Sequence, residues 1–146
     1  MAGEPASLPA AEFAFPGPLR DRLVAAILSG EKTATASLAL EYEVEGERLP
    51  QVGDRGALVD SSGRRLAVLE TTEVRVHRAA DVDEAFARDE GEGFESVGDW
   101  REAHRRFWES DEYRAAVGRP DFALTDDELV VAERFRVVER LPAAAG

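Results

Sequence analysis

The hydrophobic spacing of the chain changes at Gly30, and this change constrains the fold more than any other feature. Apolar residues recur every four positions from 19 to 27, behind a proline at position 18, which predicts a helix with proline in its first turn. Gly30 is suited to end that helix. From 33 to 38 the chain alternates hydroxyl residues with alanine or leucine, the period-two pattern of a half-buried strand. The sequence therefore predicts a helix-to-strand junction at Gly30.

Three polar side chains lie on or beside this junction. Lys32 precedes the strand, and Thr35 and Ser37 are two positions apart within it. Residues two apart in a strand point to the same side. We therefore expect Lys32, Thr35 and Ser37 to face a common region. Lys32 can also be interpreted as a solvated cation close to a helix C-terminus, where the helix dipole favours positive charge.

The rest of the sequence predicts several strands, then two or three short helices, then a final strand. The predicted β segments and turns are a continuation of the first strand over 38–42, a turn over 49–54, strands over 56–60 and 64–78 joined by a turn at 61–63, and a last strand over 129–138. Helices are predicted from 81, from 96 and over 111–117. Because the first and last β segments must meet, the prediction is an α+β fold with a small, barrel-like, mostly antiparallel sheet. We expect one domain over 13–140, a flexible lead over 1–12 and a flexible tail over 141–146.

The composition excludes several classes of function. The 146 residues contain no cysteine, which excludes thiol nucleophiles, zinc ribbons and disulfides. The net charge of −12 opposes long contact with a polyanion, although a local basic cleft is compatible with it. No apolar run is long enough to span a membrane and the N-terminus lacks the features of a signal peptide. We therefore expect a cytoplasmic protein with no membrane partner.

Acidic residues alternate with glycine between two of the predicted helices. Glu90 and Glu92 bracket Gly91, so both carboxylates can face one point, and together with Asp89 they offer oxygen ligands of the kind that Mg²⁺ prefers. Loop carboxylates in so acidic a chain are usually just hydrated. We therefore predict a loop that holds carboxylates, without a dedicated metal or a cofactor.

The helix predicted after this loop carries Trp100, His104 and Trp108 on one face. Aromatic residues at helical spacing usually belong to the core. The alternative is a cleft in which His104 hydrogen-bonds a base while a tryptophan offers a stacking surface. The two histidines, His77 and His104, lack the spacing of a zinc site.

Five segments of the sequence form a recognisable series. They are Gly30-x-Lys32-Thr33-x-Thr35, Leu49-Pro50-x-Val52-Gly53-Asp54, Glu70-Thr71-Thr72-Glu73-Val74, Glu90-Gly91-Glu92-Gly93 and Trp100-Arg101-x-x-His104. In this order they resemble the ASCH domain family, most closely its bacterial stand-alone branch, over residues 13–138. The resemblance implies a PUA-like β-barrel flanked by short helices, with a cleft where the segment around Lys32 meets the helical insertion. Members of the family are proposed to bind RNA, and one small bacterial branch removes the acetyl group from N4-acetylcytidine.

The resemblance also implies which residues do the chemistry. In the hydrolase branch these are a lysine, a threonine three positions later and a glutamate near the end of a short helix, which fall on Lys32, Thr35 and Glu90. An arginine that commonly follows the threonine by two positions is replaced here by Ser37. The residues expected to bind the ligand are Ser37, Glu70, Glu92, Trp100 and His104.

The chemistry of amide hydrolysis does not assign a single role to each of these residues. Thr35 can supply a nucleophilic hydroxyl, and Lys32 can either deprotonate it or stabilise the oxyanion. Glu90 can protonate the leaving amine or orient a water. A carboxylate in an otherwise apolar strand needs a partner, so Glu70, or Glu73 in another register, is expected to pair with Lys32.

The leading hypothesis is a single domain that binds a nucleoside or modified base and hydrolyses its N-acyl group, as an N4-acetylcytidine amidohydrolase does. The first alternative is a non-catalytic module for single-stranded or transfer RNA, which requires a basic strip. The arginines available for such a strip are Arg75, Arg78, Arg101, Arg105 and Arg106. Further alternatives are a metal-dependent ribonuclease and a domain whose cleft has lost its activity.

Overall fold

Strands from both ends of the chain form one sheet, with helices packed around it. The computed structural model describes residues 7–142. Its elements are β1 (Ala10–Ala11), α1 (Pro18–Ser29), β2 (Ala34–Leu38), α2 (Ala39–Glu45), β3 (Arg55–Val59), β4 (Arg65–Arg78), α3 (Glu84–Asp89), α4 (Val97–Trp108), α5 (Asp111–Val117) and β5 (Leu129–Arg140).

The strands lie side by side in the order β1-β3-β4-β5-β2. The β1/β3 pair is parallel and the other three pairs are antiparallel. The register of β4 against β5 shifts at two places, Val68/Leu69 and Thr71/Glu73, and such bulges increase the twist of a strand. The sheet curls into a half-barrel, which confirms the predicted α+β, mostly antiparallel, PUA-like architecture.

The two faces of the sheet pack against different helices. On one face, Ala34 and Leu38 of β2 belong to the same buried cluster as Trp100 and Trp108 of α4. The other face holds a cluster that joins α1 to the sheet; it contains Val24, Ile27, Leu58, Ala67, Leu69 and Phe135. Ala34 and Leu38 of β2 therefore face the helices of the first cluster, and the second cluster includes no residue of β2 among those described.

Helix α1 and its boundaries agree with the sequence prediction. Pro18 occupies the first turn, and Gly30 ends the helix in the left-handed conformation, with φ of 87°. Gly30 adopts this conformation at little cost because it has no Cβ. The chain leaves the helix there and enters β2 four residues later, at Ala34.

The segment after β2 is a helix, whereas the sequence predicted that the strand continues over 38–42. Pairing between β2 and β5 ends at Leu38, opposite Val130. The Glu41 carboxylate then accepts a hydrogen bond from the Leu38 N–H at 2.8 Å, which satisfies a free donor at the helix start. The prediction was wrong because it gave more weight to the apolar alternation over 38–42 than to the strong helix propensity of Ala, Leu and Glu.

The described part of the predicted lead is attached to the sheet. Ala10 and Ala11 pair with Ala57 and Leu58, and the Pro9 carbonyl accepts a hydrogen bond from the Ala57 N–H at 2.9 Å. Within the flexible lead predicted over 1–12, residues 9–11 thus contact β3, and residues 1–6 lie outside the described range. At the other end the Leu141 N–H still donates to the Leu66 carbonyl at 3.0 Å, and residues 143–146 of the predicted tail are likewise outside it.

No helix within residues 7–142 has the length and apolarity needed to cross a membrane.

Candidate active site

The Lys32 side chain is buried among oxygen atoms directly after α1. Lys32 is 2% exposed. Its Nζ lies 2.8 Å from the Ala34 carbonyl oxygen, 3.3 Å from the Glu90 carbonyl oxygen and 3.0 Å from Oε2 of Glu92. An ammonium group has three N–H donors. All three are therefore used within the protein, and Glu92 is the only side chain among the three acceptors.

Glu90 lies at the centre of the site and is 1% exposed. Its Oε1 is 3.6 Å from Nζ of Lys32 and 3.3 Å from Nε2 of His104, while the indole N–H of Trp100 donates a hydrogen bond to Oε2. Burial by itself raises the pKa of Glu90. The charges of His104 and Lys32 and the hydrogen bonds from His104 and Trp100 outweigh burial, so this pKa lies below its ordinary value. Glu90 is consequently ionised.

His104 of α4 is the cation on the other side of Glu90. Its ring stacks on that of Trp100 with centroids 4.3 Å apart, and its Nδ1 lies 2.8 Å from the Trp100 carbonyl oxygen. A carbonyl can only accept, so Nδ1 carries the proton and Nε2 faces the carboxylate. Burial lowers the pKa of His104, but the charge and hydrogen bond of Glu90 raise it further, and the result lies above the ordinary value. The contact with Glu90 therefore favours the protonated, positively charged form of His104.

These side chains form what we call the Lys32 centre, which consists of Lys32, Glu90, Glu92, Trp100 and His104. Two cations face two carboxylates, so the charges balance when His104 is protonated. Lys32, Glu90 and Trp100 are almost fully buried, whereas the side chains of Glu92 and His104 are 21% and 12% exposed. Solvent and any ligand reach the centre past Glu92 and His104.

Gly91 holds the acidic loop against the strand that follows Lys32. A Cβ at Gly91 would lie 2.2 Å from the carbonyl oxygen of Glu31 and 2.6 Å from Cα of Lys32, and Gly91 has a φ of +67°. The Thr33 N–H also donates to the Asp89 carbonyl at 2.8 Å. Close backbone contact, which only glycine allows here, thus brings Glu90 and Glu92 to Lys32.

Five of the eight predicted site residues meet in this centre, and the other three do not. Thr35 and Ser37 alternate with the buried Ala34 and Leu38, so they point to the opposite face of β2. Thr35 has no hydrogen bond or ion pair with Lys32 in the described residues. All three residues border the same large surface cavity, so the expectation that Lys32, Thr35 and Ser37 share one region is met only at that coarse level.

The predicted pairing of Lys32 with Glu70 or Glu73 is wrong. Glu70 pairs with Arg55 and Arg136, each at 2.9 Å. Glu73 pairs with Arg134 at 3.2 Å. Arg55 and Arg136 are the immediate partners of Glu70 because β4 lies between β3 and β5. The guanidinium groups of these two arginines reach across to β4.

The tryptophans do not offer a stacking surface to a ligand. Trp100 is fully buried and Trp108 is 2% exposed, as expected for core aromatics. Trp100 instead supports the site from inside, through its hydrogen bond to Glu90 and its contact with the ring of His104.

Three side chains of the centre carry donor atoms of the kind that bind metal ions. Ligand atoms of Glu90, Glu92 and His104 lie within 4.8 Å of one another. The Lys32 ammonium is already paired with both of these carboxylates, and a second cation there would be repelled by it. Asp89, the third carboxylate of the loop, pairs with Arg134 instead. The residues therefore fit an internal ammonium group better than a metal ion.

The arginines proposed for a basic strip are each paired with a carboxylate. Arg75 pairs with Glu73, Arg78 with Asp81 and Asp127, Arg101 with Asp126, and Arg105 and Arg106 with Glu102. These pairs neutralise the charge that would attract phosphate groups.

Sequence reasoning missed a second polar group on the far face of β2. It contains Tyr42 of α2 and Glu133 of β5, and Glu133 lies directly opposite Thr35 in the β2/β5 register. A charged residue directly after the apolar run from 130 to 132 was the available signal. Glu133 was overlooked because the apolar start of β5 indicates a strand that is buried on both faces.

Comparisons with known proteins agree with this fold. The sequence model of the ASCH domain matches residues 12–139. Among solved structures, a protein from Enterococcus faecalis is 31% identical, with a TM-score of 0.78 over 90% of this chain and 77% of that one. An ASCH domain from Lactobacillus crispatus is 34% identical, with a TM-score of 0.76 over 89% of this chain and 79% of the other.

A more distant structure, a mutant ASCH protein from Zymomonas mobilis, is 13% identical and has a TM-score of 0.50 over 84% of this chain and 68% of that one, so it supports the fold alone. The search of curated proteins found no match. The matched range covers nearly the whole described structure, including every residue of the Lys32 centre. The chain belongs to the ASCH domain family.

Proposed function

We propose that this ASCH domain binds a nucleoside or a modified base at the Lys32 centre and hydrolyses its N-acyl group. The observation that supports this most is the desolvated ion-pair network, in which an ammonium and an imidazolium flank one buried carboxylate. Maintaining four charges in so buried a place is costly for a merely structural purpose. Perturbed, buried titratable groups that border a groove are typical of functional sites.

The geometry favours one of the two roles considered for Lys32. Glu90 and Glu92 both pair with its Nζ, which stabilises the charged form. A charged lysine cannot act as a base, but it can stabilise the oxyanion that forms when an amide carbonyl is attacked. Because all its donors are occupied, the substrate oxygen has to replace the partly exposed Glu92 carboxylate.

The proton needed by the leaving amine is best supplied by His104. Glu90 is ionised and has no proton to give, whereas the protonated Nε2 of His104 is held 3.3 Å from it. In the proposed step a water attacks the acyl carbon, and the displaced Glu92 takes the proton of that water. The C–N bond then breaks, the amine receives the proton of His104, and the products are a carboxylic acid and the free amine.

Incubation with N4-acetylcytidine tests this proposal, with release of cytidine followed by chromatography. We expect turnover by the wild type, a loss of about 100-fold or more in Lys32→Met, and a comparable loss in Glu92→Gln. Glu31→Gln changes an exposed carboxylate next to Lys32 and serves as the matched control. Thermal unfolding of each variant distinguishes lost chemistry from lost structure.

The role of Thr35 is tested in the same assay. Thr35→Val removes the hydroxyl and keeps the shape, so unchanged turnover supports attack by water, and complete loss supports the threonine nucleophile that the family resemblance implies. Absence of turnover in the wild type, or full activity in folded Lys32→Met, would overturn the proposed hydrolysis.

A further inference from the structure

The Glu92 side chain is held in the Lys32 centre by a single contact. Its Oε2 lies 3.0 Å from Nζ of Lys32, and within residues 7–142 this carboxylate has no other hydrogen bond or ion pair. The Glu90 carboxylate, in contrast, has three partners. The other two acceptors of Lys32 are backbone carbonyls, of Ala34 in β2 and of Glu90 directly after α3. Glu92 is therefore the acceptor that a ligand can replace with the least disturbance of the fold.

The backbone around Glu92 is fixed on one side and open on the other. Gly91 lies so close to the carbonyl of Glu31 that a Cβ would overlap with it. A Cβ at Gly93 would meet nothing within 4 Å, and glycine has a wide choice of backbone conformations. The segment between α3 and α4 also has no regular hydrogen-bonded structure that would oppose a change at Gly93. Glu92 can therefore turn outward while Gly91 keeps the rest of the centre in place.

The space that the Glu92 carboxylate occupies is suited to a small monoanion. Without Glu92, Lys32 and a protonated His104 carry two positive charges against the single negative charge of Glu90. Ligand atoms of Glu92 and His104 lie within 4.8 Å of each other, so an anion in this space is close to both cations. An uncompensated charge in so buried a place is costly, and one negative charge removes it.

We propose that the Lys32 centre binds a small free monocarboxylate, such as acetate, in place of the Glu92 carboxylate. This is the group that the centre already holds there, so an oxygen of the ligand accepts the same hydrogen bond from Lys32. The inference rests on the proposed function in one respect: the carboxylic acid released by the hydrolysis is such a ligand and acts as a product inhibitor. The binding itself requires no turnover.

Thermal unfolding of Glu92→Ala in sodium acetate tests this inference. The variant leaves Lys32 without its third acceptor and opens the space of the carboxylate. We therefore expect about 100 mM acetate to raise the Tm of Glu92→Ala by about 3 °C or more, relative to sodium chloride of equal ionic strength. The wild type should bind acetate about tenfold more weakly, because its own carboxylate competes. Acetamide, which has nearly the same shape without the charge, should have no effect on Glu92→Ala.

Glu95→Ala is the matched control, because Glu95 is an exposed glutamate of the same loop. Its response to acetate should equal that of the wild type. Adding Lys32→Met to Glu92→Ala should remove the response, because the hydrogen-bond donor is lost. If Glu92→Ala does not fold, Glu92→Ser provides the same measurement, since serine keeps a hydroxyl for Lys32 and leaves most of the carboxylate space open.

Four results would each overturn the inference. They are no stabilisation of the Glu92 variant by acetate, equal stabilisation by acetate and acetamide, an equal response in Glu92→Ala and Glu95→Ala, and a response that persists when Lys32→Met is added.

The outcome is separable from that of the hydrolysis. If acetate stabilises Glu92→Ala but N4-acetylcytidine is not cleaved, the carboxylate site stands and the proposed reaction fails. If N4-acetylcytidine is cleaved but acetate neither stabilises Glu92→Ala nor competes with the substrate in the wild type, the reaction stands and the carboxylate site fails.

Discussion

The protonation of His104 decides the charge of the buried Lys32 centre. With His104 charged, two cations balance Glu90 and Glu92; with His104 neutral, one negative charge is left without a partner in a desolvated place. The free energy of folding is therefore linked to the titration of this side chain. The same proton is the one that the proposed reaction transfers to the leaving amine.

The pH dependence of stability should reveal this linkage. The pKa of folded His104 lies above its ordinary value of 6.5, so its contribution is complete below pH 6.5 and is lost as pH rises through the folded pKa. Glu90 has a folded pKa below 4.5, so its contribution is present above pH 4.5 and is lost as pH falls through the folded value. We expect the difference in unfolding free energy between wild type and His104→Gln to be largest between these limits and to shrink in alkali.

Urea unfolding at a series of pH values measures this difference. His77→Gln is the matched control, because His77 forms no ion pair with the described carboxylates and its ring bonds only the Arg78 carbonyl. A His104→Gln difference that stays constant from pH 5 to pH 9 would contradict the assigned ion pair.

At the level of elements, direct backbone contact at Gly91 joins the acidic loop to the segment between α1 and β2. Gly91→Ala should destabilise the protein by about 3 kcal/mol or more, because the left-handed conformation and the overlap with Glu31 both oppose a side chain. Gly93→Ala is the control: Gly93 also has a positive φ, of +85°, but a Cβ there meets nothing within 4 Å, so only about 1 kcal/mol is expected.

Chemical denaturation of both variants, with N4-acetylcytidine turnover measured alongside, checks this prediction. Equal losses of stability in Gly91→Ala and Gly93→Ala would show that the close contact with Glu31 is unimportant.

The sequence predicted the bounds of helices correctly where a local signal, such as a proline, a glycine or a capping serine, marks them. Pro18 and Gly30 bracket α1, and Ser96 begins α4 by accepting a hydrogen bond from the Asp99 N–H, as its spacing indicates. The change from β2 to α2 at Leu38 was not predicted, because it depends on where β5 stops pairing. The local spacing of apolar residues does not determine the register between strands that are distant in sequence.

The same distinction explains the outcome for the site. The sequence motifs grouped Lys32, Glu90 and His104, and the structure brings these three side chains together. The separation of Thr35 from Lys32 and the pairing of Glu70 with arginines follow from strand order and from which face is covered. Those are properties of the assembled sheet.

The charge distribution of the whole molecule opposes extended contact with RNA. The net charge is −12, and the arginines named for a basic strip are all paired with carboxylates. We expect fluorescence anisotropy with a labelled single-stranded RNA of about 12 nucleotides to show no saturable micromolar binding at physiological salt.

Glu102→Gln provides a sensitive control, because Glu102 pairs with both Arg105 and Arg106 at 3.6 Å. Loss of the Glu102 charge leaves Arg105 with Glu109 alone and weakens the pairing of Arg106, so weak binding that disappears as salt is raised is expected. Tight binding by the wild type that falls steeply with salt would instead favour the RNA-binding module.

The position of β5 has a consequence for how the protein is made. β5 lies between β4 and β2, and the Phe135 N–H bonds the carbonyl of Thr33, next to Lys32. While residues 129–140 are still inside the ribosomal exit tunnel, β2 has no neighbour and the nascent chain exposes an unpaired strand. Translation therefore delivers Lys32 early and its anchoring strand late, so the growing chain passes through an interval in which this strand edge is open to chaperones and the Lys32 segment is not yet held in the sheet.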